Sequence, residues 1–114
     1  MEPNINLNAE ALADMLAVFT NVPRLRILEK LLDGPRIVGD LVRETGYAQA
    51  VISKQIGILR EAGLLQCNPQ GRCREYKLAD SAAVRGLLEA ASGMVLAAAS
   101  NQRECEKLRH VREI

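Results

Sequence analysis

Three sets of residues in this 114-residue sequence have types and spacings that could do chemistry. Gln49, Ala50, Ser53, Lys54 and Gln55 lie in a stretch whose apolar positions, Ile52, Ile56 and Leu59, repeat with helical spacing. On such a helix Gln49 and Gln55 can pair bidentately with an adenine edge. Ser53 can bond a base edge or a phosphate, and Lys54 can reach guanine or phosphate. Ala50 shares the outward phase of Lys54, and Val51 can touch a thymine methyl. The second set, Arg72, Arg74 and Lys77, follows Gly71. Basic side chains on a protruding turn suit phosphate contacts or insertion into a minor groove. The third set is the thiols, Cys67, Cys73 and Cys105. The bland alternatives are a solvated face on a packing helix, an ordinary hairpin, and cysteines that serve only as small side chains.

Catalytic chemistry has no such support. The one histidine, His110, lies five positions after Cys105 on the same predicted helix, which is poor geometry for a nucleophile and base. No glycine-rich phosphate loop is present, so an enzyme is not expected. No CxxC pair or zinc-ligand spacing occurs. Three cysteines without a secretory leader fit free thiols in a reducing, cytoplasmic compartment. Cys67 and Cys73 flank a five-residue turn between two predicted strands, so they are expected to face each other across the hairpin. Directly opposed residues have Cβ atoms about 4.5–5.5 Å apart, near the roughly 3.5–4.5 Å of a disulfide. Arg72 and Arg74 flank Cys73, and neighbouring cations favour a reactive thiolate.

The elements that must position these groups are legible in the pattern. Asn8 caps a first helix with Leu12, Ala13, Leu16 and Phe19 on one side. Pro23 opens a second helix through Leu25, Ile27, Leu28, Leu31 and Leu32, which Gly34-Pro35 ends. Val38, Leu41 and Val42 mark a short third helix closed by Gly46, and residues 48–62 form a fourth, ended by Gly63. The short link at Gly46 makes the third and fourth a helix-turn-helix. The period then changes to two: Leu64 to Cys67 and Cys73 to Leu78 read as strands around Asn68-Pro69-Gln70-Gly71. A long last helix starts near residue 82, with Val84, Leu88, Ala91, Val95, Ala98, Gln102 and Cys105 stepping by four and three like a coiled-coil seam. The expected fold is mainly α, a winged helix-turn-helix of order α-α-α-α-β-β-α. It forms one domain over residues 1–114, with mobile ends at 1–7 and about 110–114.

Composition removes other classes. Hydrophobic residues make up 48%, and the only aromatics are Phe19, Tyr47 and Tyr76, so the core is aliphatic. No uninterrupted apolar run reaches about 18 residues, which argues against a membrane span. The first 20 residues lack a basic segment and carry Glu2, Glu10 and Asp14, unlike a secretory signal. The net charge of +1 conceals a segregation. Residues 1–22 carry three acids and no Lys or Arg, whereas residues 46–78 carry five bases against two acids. A bound partner feels the local field within about 8 Å rather than the chain total.

Together, Pro23-Arg24-Leu25-Arg26-Ile27-Leu28, Val38-Gly39-Asp40-Leu41, Ile52-Ser53-Lys54-Gln55-Ile56, Leu59-Arg60-Glu61-Ala62-Gly63-Leu64, and Gly71-Arg72 leading to Tyr76-Lys77-Leu78 resemble the ArsR/SmtB family of bacterial winged-helix repressors. The likeness runs from about Leu12 to Leu88. It implies a homodimer joined through the first and last helices. It also implies sequence-specific repression at an operator in double-stranded DNA, relieved by a metal, metalloid or thiol-reactive signal. The dyad of such a dimer implies an inverted repeat. The family's metal sites are not preserved. Its Cys-Val-Cys run on the third helix falls on Ile37, Val38 and Gly39, and its last-helix ligands fall on Asp80, Ala82, Gly93 and Leu96. The three thiols are left as candidate sensing groups or ligands for As(III) or another soft metal ion acting as effector. A protein-interaction module of the same shape, or a repressor with a non-thiol ligand, are the competing readings.

Overall fold

The computed structural model describes residues 7–113, with the side chains of 108–113 left aside. Residues 1–6 and 114, part of the ends expected to be mobile, lie outside the described residues; the backbone of 110–113 is helical. The chain forms two compact units, Met1–Ser81 and Ala82–Ile114.

In the first unit, α1 (Ala9–Ala17) starts at Asn8, whose side chain accepts from the Ala11 N–H at 3.1 Å. α2 (Val22–Leu31) starts at Asn21, which accepts from the Arg24 N–H at 3.0 Å, with Pro23 in the first turn. Both asparagines satisfy a helix-start N–H that has no intrahelical partner. α3 (Val38–Thr45) is preceded by Ile37, which has no acceptor to offer. Asp40 compensates by accepting from the Ile37 N–H at 3.2 Å, and Arg43 holds its other oxygen at 2.6 Å. The bond from the Ile37 amide, then the Arg43 guanidinium, keeps the Asp40 carboxyl below its ordinary pKa. Gly46, at φ 77°, ends α3 in the left-handed region and turns the chain into α4 (Gln49–Glu61). Helices α2, α3 and α4 pack on one another around Ile27, Leu28, Leu41, Ile52 and Leu59, all completely buried.

The sheet differs from the expected two-stranded hairpin. It has three antiparallel strands in the order β1 (Arg36–Ile37), β3 (Cys73–Leu78), β2 (Leu65–Gln70). Two residues between Pro35 and a helix start are too few to show a period of two, so β1 has no sequence signal. The hairpin strands also run further than predicted, leaving only Gly71-Arg72 as the loop. Pro69 can sit inside β2 because β2 is an edge strand and needs no donor on its open side. Gly71, at φ 61°, occupies the first loop position, where a two-residue hairpin turn needs positive φ.

The second unit is essentially α5 (Ser81–Glu113). Val84 is buried and Leu87 and Leu88 are half-buried, but every described residue from Glu89 onward is exposed. Met94, Val95 and Leu96 are 71%, 68% and 73% exposed. These three span more than half the helix circumference, broader than the expected narrow seam. The stretch Ser81–Lys107 is long and apolar enough to cross a membrane by length and composition. This qualifies the sequence argument, because Arg85 and Glu89 interrupt the apolar run without lowering its average enough.

Candidate nucleic-acid interface

The pair α3–α4, joined by three residues around Gly46, is a helix-turn-helix, and the β2–β3 hairpin that follows α4 is its wing. Packing fixes which way α4 faces. Ile52, Gln55, Ile56 and Leu59 are buried, while Gln49, Ala50, Ser53, Lys54 and Gly57 are exposed and Val51 is intermediate. The N-terminal half of α4 thus presents two hydrogen-bonding side chains and one cation to solvent. The wing is held to this helix from behind. Arg60, near the C-terminal end of α4, places its guanidinium carbon 5.9 Å from the ring centroid of buried Tyr76.

Around the helix-turn-helix and wing, some cations are committed to acids and others are not. Arg26, Arg36 and Arg43 each pair with an acid, on Glu29, Glu44 and Asp40. Lys54, Arg72 and Arg74 are exposed and make no ion pair among the described residues. An open groove of about 480 Å3 lies between α3 and the wing, and its lining mixes apolar Val38 and Val42 with Gln49, Arg72, Cys73 and Arg74. The unpaired cations and the amide of Gln49 are therefore available to an anionic surface.

Two site expectations need correction. Gln55 does not face outward: it is 6% exposed, and its Oε1 accepts from Arg24 Nη1 at 2.7 Å. It stands three residues after Ile52, within the apolar stripe, and the burial of a polar amide there depends on a partner 31 positions away. That partner, Arg24, stands in the sequence only as part of the Pro23–Leu28 stretch, with nothing to mark it as a neighbour of α4. Locally it occupies the first turn of α2, three residues after the Asn21 cap.

The thiols are likewise not arranged as expected. Cys67 lies opposite Tyr76 and Cys73 opposite Gln70. Cys67 is therefore three residues along β2 from the partner of Cys73, about 10 Å away. The odd offset also puts the two on opposite faces of the sheet. They cannot form a disulfide without a change of register. All three cysteines are free; Cys67 is half-buried and Cys73 and Cys105 are exposed. Among the described residues no three of His, Cys, Asp and Glu come together to hold a metal ion.

The fold and the polar face of α4 together define a winged helix-turn-helix protein. Comparison with known proteins makes this specific. Residues 21–66 match the model of the family described as bacterial regulatory protein, arsR family. The chain is 34% identical over 91 residues to the transcriptional regulator NmtR of Mycobacterium tuberculosis, covering 77% of this chain and 76% of that protein. It is 29% identical over 77 residues to the biofilm growth-associated repressor of Xylella fastidiosa, covering 68% of each. Among solved structures, NolR from Sinorhizobium fredii superposes with a TM-score of 0.70 at 27% identity, over 82% of this chain and 96% of that one. The chain belongs to the ArsR family of bacterial DNA-binding transcriptional regulators, a family of regulators rather than enzymes.

Proposed function

We propose that the chain is a dimeric repressor, acting in the cytoplasm, that binds an inverted-repeat operator and is released when a thiol-directed signal reaches the wing. The observation that carries the DNA reading is the set of unpaired cations, Lys54, Arg72 and Arg74, displayed beside Gln49 and Ser53. Two further features support a second copy as partner: the exposed apolar side chains of α1 (Leu12, Met15, Leu16) and of α5 (Met94, Val95, Leu96). Exposed apolar area of this kind favours association over solvation. A two-fold dimer would place two α4 helices on half-sites about 34–36 Å apart, or a multiple of that.

Fluorescence anisotropy with the promoter fragment upstream of its own gene tests this reading. Binding is expected to prefer that fragment over random DNA and to weaken steeply with salt. Lys54→Glu or Arg72→Glu should cost about tenfold or more in affinity with the dimer intact. No preference over random DNA at moderate salt overturns the proposal.

For the signal, Cys73 is favoured over a shared three-thiolate site because it is exposed, lies between Arg72 and Arg74, and stands on the wing. Modification there would add bulk or charge at a DNA-facing edge. Release by peroxide, polysulfide or arsenite should be lost in Cys73→Ser and kept in Cys67→Ser. Equal responses in wild type and in all three Cys→Ser variants would favour a non-thiol ligand, for which the groove between α3 and the wing is the available space.

A further inference from the structure

The Arg24 guanidinium joins three places at once. Nε donates to the Val18 carbonyl at 2.6 Å, Nη2 to the Ala17 carbonyl at 3.4 Å, and Nη1 to Gln55 Oε1 at 2.7 Å. Ala17 is the last residue of α1 and Val18 its C-cap, so two of the three acceptors are carbonyls at the end of that helix, where intrahelical donors run out; Ala17 also accepts from the Thr20 N–H at 3.1 Å and the Thr20 hydroxyl at 2.6 Å, so the Val18 bond is the stronger anchor. A cation there also complements the negative end of the helix dipole. The third acceptor belongs to α4. The backbone of Arg24 is itself pinned by Asn21 at the start of α2. One planar, five-donor group therefore ties the end of α1 and the start of α2 to the middle of the helix that carries Ser53 and Lys54.

The position of Gln55 makes this contact consequential for aim. It is the one buried polar residue in the core of the described residues and occupies a stripe otherwise made of Ile52, Ile56 and Leu59. Apolar contacts hold α4 against its neighbours but tolerate small rotations and slides, since dispersion is non-directional. A hydrogen bond to a fixed guanidinium does not tolerate them, because its strength falls steeply with angle and distance. Ser53 and Lys54 are the residues immediately before Gln55. A rotation of α4 by one residue's worth, about 100°, would replace them on the outward face. Small rotations would misplace them relative to base edges.

We infer that Arg24 is a positioning residue. Through Gln55 it sets the rotation of α4 about its own axis, and it couples that setting to the end of α1, whose exposed apolar side chains Leu12, Met15 and Leu16 offer a surface to a second copy. The inference rests on the DNA reading proposed above. It predicts that covering α1 and aiming α4 are linked through one side chain that touches no DNA.

The test separates aim from attraction. In Arg24→Met, preference for the operator over random DNA should fall about tenfold or more, while affinity for random DNA is unchanged. The slope of log K against log salt should also stay at the wild-type value. Loss of a phosphate contact would instead lower that slope by about 0.9. Gln55→Glu keeps an acceptor oxygen for Arg24 and should retain the preference, whereas Gln55→Leu should lose it. The double variant Arg24→Met/Gln55→Leu replaces both partners by apolar groups, a change that can be nearly neutral for stability; its melting temperature should recover while its operator preference does not. A double variant that recovers both overturns the inference, as does an altered salt slope. Hydrogen exchange on the free protein is read in parallel and needs no DNA. Arg24→Met should speed exchange in α4 together with the α1 end while leaving α3 unchanged. Unchanged exchange in α4 overturns the coupling even if the wild type shows no operator preference, and that absence by itself would overturn only the DNA reading.

Discussion

Helices α4 and α5 are built from similar aliphatic residues and end in opposite situations. In α4, Ile52 and Leu59 are wholly buried and the polar residues form the opposite face. In α5, Met94, Val95 and Leu96 stand about seventy per cent exposed with alanines around them. The difference is one of pattern as much as of content. A stripe at three-four spacing can be satisfied by α2 and α3 within the chain, leaving a polar face to read a partner. An apolar surface wrapping more than half a helix cannot be satisfied by one neighbour. Helix α4 is complete within the monomer and α5 is not.

The largest test of that comparison is a pair of truncations. Leu59→Ala should cost about 2–5 kcal/mol of folding stability. Leu96→Ala should change the stability of the dilute chain by less than about 0.5 kcal/mol. Chemical denaturation at low protein concentration measures both, and equal effects would break the contrast. Next, Val95→Glu should leave the α2–α4 core folded but shift sedimentation towards the monomer, and weaken operator binding by about tenfold as the half-sites come to be bound separately. An effect of similar size, on stability rather than binding, is expected at Gly46. An alanine there must adopt φ 77° at a cost of about 1–2 kcal/mol, read as a lower melting temperature. The smallest concerns Asp40. Its lowered pKa means that its contribution is fully present above the ordinary value of 3.8 and is lost as pH falls through the lowered one. Asp40→Asn should therefore be less stable than wild type at neutral pH, with the gap closing in acid.

The cysteines sharpen the same lesson within the wing. Read along the chain, Cys67 and Cys73 look like partners because they flank a turn. Whether two strand residues meet depends on the loop length, and here the strands extend to a two-residue loop at Gly71-Arg72, putting Cys73 against Gln70 and Cys67 against Tyr76. Pro69 disguised this extension, since it reads as a turn residue and is allowed in a strand only at a sheet edge. Mild oxidation should accordingly give no Cys67–Cys73 disulfide by mass spectrometry, unlike an opposed pair.

Local physics made much of the fold legible. Asn8 and Asn21 cap helices through their own side chains, Pro23 fits a first turn, and Gly46 supplies a left-handed residue; each effect reaches only a few positions. The stripe of Ile52, Ile56 and Leu59 located α4, and the basic residues after Gly71 located the wing. These features also carried the family likeness. What a single stretch of chain could not reveal was anything needing a distant partner. Two-residue β1 exists because β3 accepts it, and Gln55 turns inward because Arg24 waits there. The sequence by itself determined the order of the five helices and the hairpin, the class of fold and the polar, cationic character of the reading surface, since those follow from period, caps and charge. Only the tertiary structure decided the strand register, the separation of the thiols and the removal of Gln55 from the reading face. Each of these is set by pairing across space, where a one-residue shift or one buried hydrogen bond reverses which side of an element a residue occupies.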